Sequence, residues 1–298
     1  MASKVSSLLS YAFLFLSFAL SLSNFVIGES GFDFIKPLQG SKKGDKVEGL
    51  YNLKKYLKKF GYIDDLPFNS SSPGADYFSD QLESAIRTYQ TNFNLNSTGV
   101  LDADTVSQMM MPRCGVPDII NGTNLMRRHR REVAPQYAHF PGKPKWPDNK
   151  QVLTYGFGNP TPFKFFIPVG LAFVHWQKAV RFKFDRTDYA SADLKFHLYA
   201  RDHGDGYPFD GRGGEYAHSF RPKKGICHFD SEENWAEFGP PPDGLDIQSV
   251  ALHEIGHLLG LDHSEVREAV MWPFFKYGET KRVLQSDDIE GIRALYPV

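Results

Sequence analysis

The sequence predicts an α+β protein in two parts: a small three-helix unit, then a mixed twisted sheet packed on three helices. Three observations carry this. Apolar residues recur at helical spacing as far as Met111, and several runs after Gln151 alternate apolar with polar. A linker holding the basic run Arg127-Arg128-His129-Arg130-Arg131 separates the two patterns. Near the end, a long apolar helix carries His253 and His257 one turn apart on one face. Strands gathered apart from helices are the α+β pattern.

The bulk composition narrows the partners. A chain of 298 residues has room for two modest cores. A formal net charge of −1 gives no electrostatic reason to expect nucleic acid. The 14% aromatic content, with 25 Phe, points to ring-rich cores.

Residues 1–28 read as a signal peptide, with Lys4 ahead of the apolar run Leu8 to Leu20 and small residues after it. A retained signal anchor is the competing reading, because apolar character continues to Ile27. The interspersed serines favour cleavage. No later stretch is apolar enough to span a bilayer, and Val298 follows no hydrophobic tail. Sequons at Asn69, Asn96 and Asn121 suit a secreted glycoprotein.

After a segment over 29–46, the front half reads as a helical domain over 47–111. Val47 to Phe60 places Leu50, Leu53, Leu57 and Phe60 on one stripe, with Lys54, Lys55, Lys58 and Lys59 as a solvated face. Asp80 to Asn92 is a second helix and Asp102 to Met111 a short third. The segment over 112–136 opens with Pro112-Arg113-Cys114-Gly115-Val116-Pro117-Asp118, stiff and non-helical, presenting one thiol. Arg113 beside Cys114 is expected to favour the thiolate, a strong zinc ligand. An inert thiol and a disulfide to Cys227 are the other readings. The basic run fits a processing site better than a nucleic-acid patch in a secreted chain.

The back half, over 137–298, takes its elements in turn. Strands are expected at Gln151 to Phe157, Phe182 to Phe184, Leu194 to Tyr199, Glu215 to Phe220 and Ile226 to Phe229. Helices are expected at Pro168 to Arg181, from an Asp246 N-cap onward, and at Ser286 to Tyr296.

The chemistry concentrates in Ala251-Leu252-His253-Glu254-Ile255-Gly256-His257-Leu258-Leu259-Gly260-Leu261-Asp262-His263. His253 and His257 can grip one zinc ion, and Gly260 can turn the chain so that His263 adds a third nitrogen. The vacant fourth position is the mark of a catalytic site, with Glu254 placed to act on a water. Chance would give this spacing in about one of 10⁴ such chains. If the Cys114 sulfur filled that position, the site would be silent. A second group, His203, Asp205, His218 and His228, makes a closed three-His, one-Asp set of structural type. Asp210, Asp230 and Glu233, with carbonyls of the glycine-rich loop, offer oxygens to calcium, although Gly and Asp are also simply turn formers.

Five stretches carry a resemblance to the matrix metalloproteinases (matrixins), a metzincin family: PRCGVPD at 112–118, FPGKPKW at 140–146, HGDGYPFDGRGG at 203–214, the histidine string at 253–263 and AVMWP at 269–273. The short form is most similar to the secreted plant members. The resemblance implies a metzincin-type catalytic domain behind a peptidoglycan-binding-like pro-domain. It implies one catalytic and one structural zinc, latency held by Cys114, and a mature chain starting near Tyr137. It also implies calcium held by Asp210, Gly211, Gly213, Glu215, Asp230 and Glu233, a Met271 turn under the site, and Pro273 and Phe275 at a specificity pocket. Pro222 to Ile226 departs from many animal members, which puts a second calcium site near Asp193 in doubt.

The expected function is therefore a secreted, latent zinc endopeptidase, monomeric, acting on extracellular proteins in the extracellular space or cell wall after a processing protease cuts the linker. The strand Glu215 to Phe220 would pair with an extended substrate. The alternative is a non-catalytic protein that binds cell-wall glycan through its helical front half. A different metzincin subclass is the third reading, against which Cys114 and Pro273 stand.

Overall fold

The computed structural model describes residues 31–64, 66, 70–72, 74–124, 126 and 137–297. The expected signal peptide, Asn69 and the basic run 127–131 lie outside the described residues.

The front half is built on α1 (Leu50–Lys59), α2 (Asp80–Asn92) and α3 (Ala103–Met109), preceded by a 3-10 helix at Asp33–Leu38 that the sequence pattern did not suggest. Polar caps set two of the starts. Ser79 Oγ accepts from the Leu82 N–H at 3.3 Å, and an Asp102 oxygen accepts from the Thr105 N–H at 2.9 Å. The stripe Leu50, Leu53, Leu57 and Phe60 is fully buried against Ile86 and Tyr89. Trp272 and Phe274, from the far end of the chain, complete this core.

Past Pro112 the chain becomes β1 (Arg113–Cys114), then a hairpin of β2 (Ile119–Ile120) and β3 (Thr123–Asn124). Asn121 and Gly122 turn that hairpin with φ of 49° and 72°, the left-handed pair a tight two-residue turn needs.

The back half contributes β4 (Val152–Phe157), α4 (Phe166–Gln177), β5 (Lys183–Arg186), β6 (Leu194–Tyr199), β7 (Glu215–Ser219) and β8 (Ile226–Asp230). A short parallel pair, β9 (Trp235–Ala236) and β10 (Leu245–Asp246), leads into α5 (Ile247–Leu259), and α6 (Ser286–Leu295) closes the fold. The helix expected from Pro168 starts two residues earlier and stops at Gln177, and the strand expected at Phe182 to Phe184 is shifted to Lys183–Arg186. The main sheet runs β1-β7-β8-β6-β4-β5, and β7 is antiparallel to β8 while the other pairs are parallel. Helices α4 and α5 lie on it, tied by the Trp176 indole N–H donating to the Leu252 carbonyl at 2.8 Å. This is the expected α+β arrangement, with one addition: β1 extends the sheet along the edge of β7.

No helix among the described residues is long and apolar enough to cross a membrane.

Candidate metal centre and active site

Helix α5 is held at both ends by the residues its sequence supplies. Asp246 accepts from the Ser249 N–H at 2.9 Å, and Gly260 ends the helix at φ 112°. Every residue of α5 is buried, so its histidines face protein rather than bulk water. Gly256 is small for a reason: a Cβ there would lie 2.3 Å from Met271 Sδ. The methionine turn thus packs directly beneath the helix.

Each imidazole is fixed by its Nδ1. His253 Nδ1 donates to the Val270 carbonyl at 2.7 Å and His257 Nδ1 to the Leu261 carbonyl at 2.9 Å. His263 Nδ1 donates to an Asp118 oxygen at 3.1 Å. The Nε2 atoms are left with bare lone pairs, and those of His253 and His257 stand 3.1 Å apart. His263 Nε2, fully buried, has no hydrogen-bond partner. Burial and the neighbouring imidazoles hold His253 and His257 well below the usual histidine range, so protonation does not relieve this convergence. One cation between the rings would satisfy all three converging acceptors at once. The Cys114 sulfur closes the group, 3.5 Å from His257 Nε2, and the four donor atoms all lie within 4.8 Å of one another. Three imidazoles and a thiol are a zinc-type donor set.

Cys114 and Cys227 are both buried and free, so no disulfide joins them. The Arg113 charge favours the thiolate, as expected, but does not prevail. Burial and the Glu254 charge push the Cys114 thiol well above its usual range, and the effect of Arg113 is outweighed. The reason is geometric. Both guanidinium NH groups of Arg113 are taken by Asp118 at 3.1 and 2.7 Å, inside a stack on the Phe60 ring. Burial would raise the Asp118 carboxyl, but Arg113 and His263 hold it at about 2. Asp118 therefore links the thiol segment to the third histidine, a position that sequence reading quoted without a role.

Glu254 follows His253 and lies against the Cys114 thiol and the Ser219 hydroxyl. Neither of its buried oxygens makes a well-formed hydrogen bond, and burial pushes its pKa up to about 7. Phe275 stands edge-on to the His253 ring at 5.9 Å. The Pro273 carbonyl accepts from the Cys114 N–H at 2.8 Å. Phe274, between Pro273 and Phe275, points away from the His253 ring. Extended backbone sends alternate side chains to opposite faces, and Phe274 packs on Phe93 of the front-half core at 5.0 Å. A cleft of about 180 Å³ remains beside the thiol segment, lined by Gly115, Val116, Phe140, Ser219 and Phe220 among others.

The second group is also gathered within 4.8 Å. His203 Nε2, His218 Nε2 and His228 Nδ1 lie 3.0, 2.9 and 3.0 Å from one Asp205 oxygen. His218 Nδ1 donates to Glu215 at 2.7 Å. Burial lowers the His218 pKa, but the carboxylates at both of its nitrogens outweigh burial and raise it. Of the calcium set, Asp230 accepts from the Gly211 N–H at 3.2 Å and Glu233 from the Gly213 N–H at 2.7 Å. Burial raises Asp230 to about 6 and Glu233 to about 7. Asp210 accepts from the Glu215 N–H at 2.8 Å, while the Glu215 carboxylate turns away to His218 and Lys59. Lys59 is thus not on the solvated face where its spacing put it; it reaches across to Glu215. The Asp193 carboxylate is taken by Lys150 and by Thr154. Of the sequons, Asn96 and Asn121 are exposed.

Comparison with known proteins gives the family. The matrixin family model matches residues 145–297, and a model described as a putative peptidoglycan binding domain matches 46–109. Metalloendoproteinase 2-MMP of Arabidopsis thaliana is 42% identical over 89% of this chain and 75% of its own length. Metalloendoproteinase 1 of Glycine max is 42% identical over 86% of this chain and 84% of its own length. Matrix metalloproteinase-16 of Homo sapiens is 35% identical over 84% of this chain and 42% of its own length. Zinc chemistry is what such a family and such a donor set have in common, and the chain belongs to the matrixin family of metalloendopeptidases.

Proposed function

We propose that the chain is a secreted zinc endopeptidase made in a latent form, with residues 1–28 as signal, 29–136 as the inhibitory pro-region and 137–298 as the catalytic part. His253, His257 and His263 hold the catalytic zinc, and Cys114 occupies its remaining position until a processing protease cuts within 127–137. His203, Asp205, His218 and His228 hold a structural zinc, and the loop around Asp210, Asp230 and Glu233 takes calcium. The substrates are extracellular proteins. The single observation that carries the reading is the Cys114 sulfur 3.5 Å from His257 Nε2, in a group whose three imidazoles turn their Nε2 atoms toward one point.

Zinc bound there supplies Lewis-acid polarisation and makes water a nucleophile at neutral pH. The chain does the rest. Carbonyls of Val270 and Leu261 keep the rings in the tautomer that offers Nε2. Once the thiol segment leaves, Glu254 takes a proton from the attacking water and delivers it to the departing amine nitrogen as the C–N bond breaks. The vacated edge of β7 offers backbone groups to an extended substrate.

The test is digestion of a general protein substrate by the full chain before and after cutting within 127–137, with zinc present. Cleavage should follow the cut, and Glu254→Gln should remove it. If both processed proteins are equally inactive on varied substrates, the glycan-binding alternative replaces this reading.

A further inference from the structure

Glu215 opens β7 with its side chain fully buried, and its two oxygens face partners from different parts of the chain. Oε1 accepts from His218 Nδ1 at 2.7 Å. Oε2 is paired with the Lys59 ammonium, which comes from α1 and also donates to the Pro208 carbonyl at 3.2 Å. Gly115 lies directly over the carboxylate: a Cβ at 115 would sit 1.9 Å from Oε1, so only glycine fits. The neighbouring residue is Cys114, whose sulfur reaches the metal centre. Along β1, then, the carboxylate lies one residue from the sulfur at the site.

Lys59 and Gly115 both belong to the proposed pro-region. Their loss uncovers the carboxylate at the edge of β7 and removes one of its two partners. A partly desolvated charge without its counterion is costly. A substrate strand laid on the same edge restores the balance if it brings a cation to where the lysine stood.

We infer that Glu215 is a specificity-determining residue of the processed enzyme, selecting a Lys or Arg side chain within about three residues of the scissile bond, at ~3.3 Å per residue of strand. Lys59 occupies this subsite in the uncut chain as an internal stand-in for that side chain. The inference rests on the endopeptidase reading above. It gives the Glu215 carboxylate a role separate from the calcium ligation implied by resemblance, since that carboxylate faces Lys59 and His218.

The experiment uses full chain cut within 127–137 and freed of its pro-region. kcat/KM is measured on a peptide series carrying Lys, Arg, norleucine or Glu at each position around the cut. At one position Lys and Arg should be preferred over norleucine by about ten-fold, with Glu the slowest and the preference shrinking in added salt. In Glu215→Gln the ratio should fall below about two-fold, with zinc content measured alongside because Glu215 also holds His218. A flat response at every position in the unsubstituted enzyme overturns the inference, whatever the variant does. A Lys or Arg preference that survives Glu215→Gln with zinc retained also overturns it. A processed chain that cleaves no peptide at all removes the endopeptidase reading, and this inference falls with it.

Discussion

The two histidine clusters offer a comparison, because each joins three imidazoles to one acidic donor and yet they are built differently. In the group of His203, Asp205, His218 and His228, all four residues come from the back half. Carboxylates at both nitrogens of His218 raise its pKa, so a proton there can stand in for a metal. In the group of His253, His257 and His263 no proton can play that part, because two bare Nε2 atoms face each other at 3.1 Å and burial holds both rings neutral. Its fourth donor comes from 143 residues away, on a segment attached to the rest by a linker. One cluster is closed by its own loop, and the other is closed by a thiol from the front half, which the proposed function treats as removable. That separates a fastening from a site.

Glu254→Gln should have the largest effect, and on one cluster's chemistry alone. It should lower kcat by roughly 10²–10⁴-fold while the zinc content of both clusters, read by metal analysis, is unchanged. Next comes Asp118→Asn, which leaves Arg113 buried without its partner and loosens His263. Breaking such a pair costs about 3–5 kcal/mol, so the uncut chain should melt lower and lose its latency. Cys114→Ser should raise the activity of the uncut chain by about ten-fold or more, because a neutral hydroxyl is a far weaker zinc ligand than a thiolate. No substitution in the second cluster should do this.

Gly256→Ala forces Met271 aside and should cost about 1–3 kcal/mol in thermal unfolding of the processed chain. The smallest effect concerns the metal-free protein. His218 is raised, so its two carboxylates stabilise the fold fully below the usual histidine value of about 6.5, and that support fades as pH rises through the raised value. Melting of the metal-free chain from pH 5 to 9 should show this loss, and His218→Ala should shrink it to the part that the raised carboxyls of Glu233 and Glu254 contribute.

Much of this was legible in the chain itself. Asp246 and Gly260 announce the ends of α5, and the spacing of 253, 257 and 263 announces its chemistry. The stripe of Leu50, Leu53, Leu57 and Phe60 turns inward as written. Other features were hidden because they depend on which distant residues meet. The lysines of α1 have one spacing, yet Lys54 reaches the Gly74 and Ala75 carbonyls and Lys59 reaches Glu215, while Lys55 and Lys58 stay exposed. Asp118 reads as a turn former until His263 is found beside it, 145 residues on. Phe274, from the far end of the chain, is claimed by the front-half core, which no local pattern announces.

The sequence alone determined the donor types and their local spacing, because a helical turn and a glycine at positive φ are properties of neighbouring residues. Tertiary structure decided what those donors meet. The parallel pairing of β1 on β7 sets the thiol against the histidines and glycine against Glu215, and no local periodicity encodes a contact between strands so far apart along the chain.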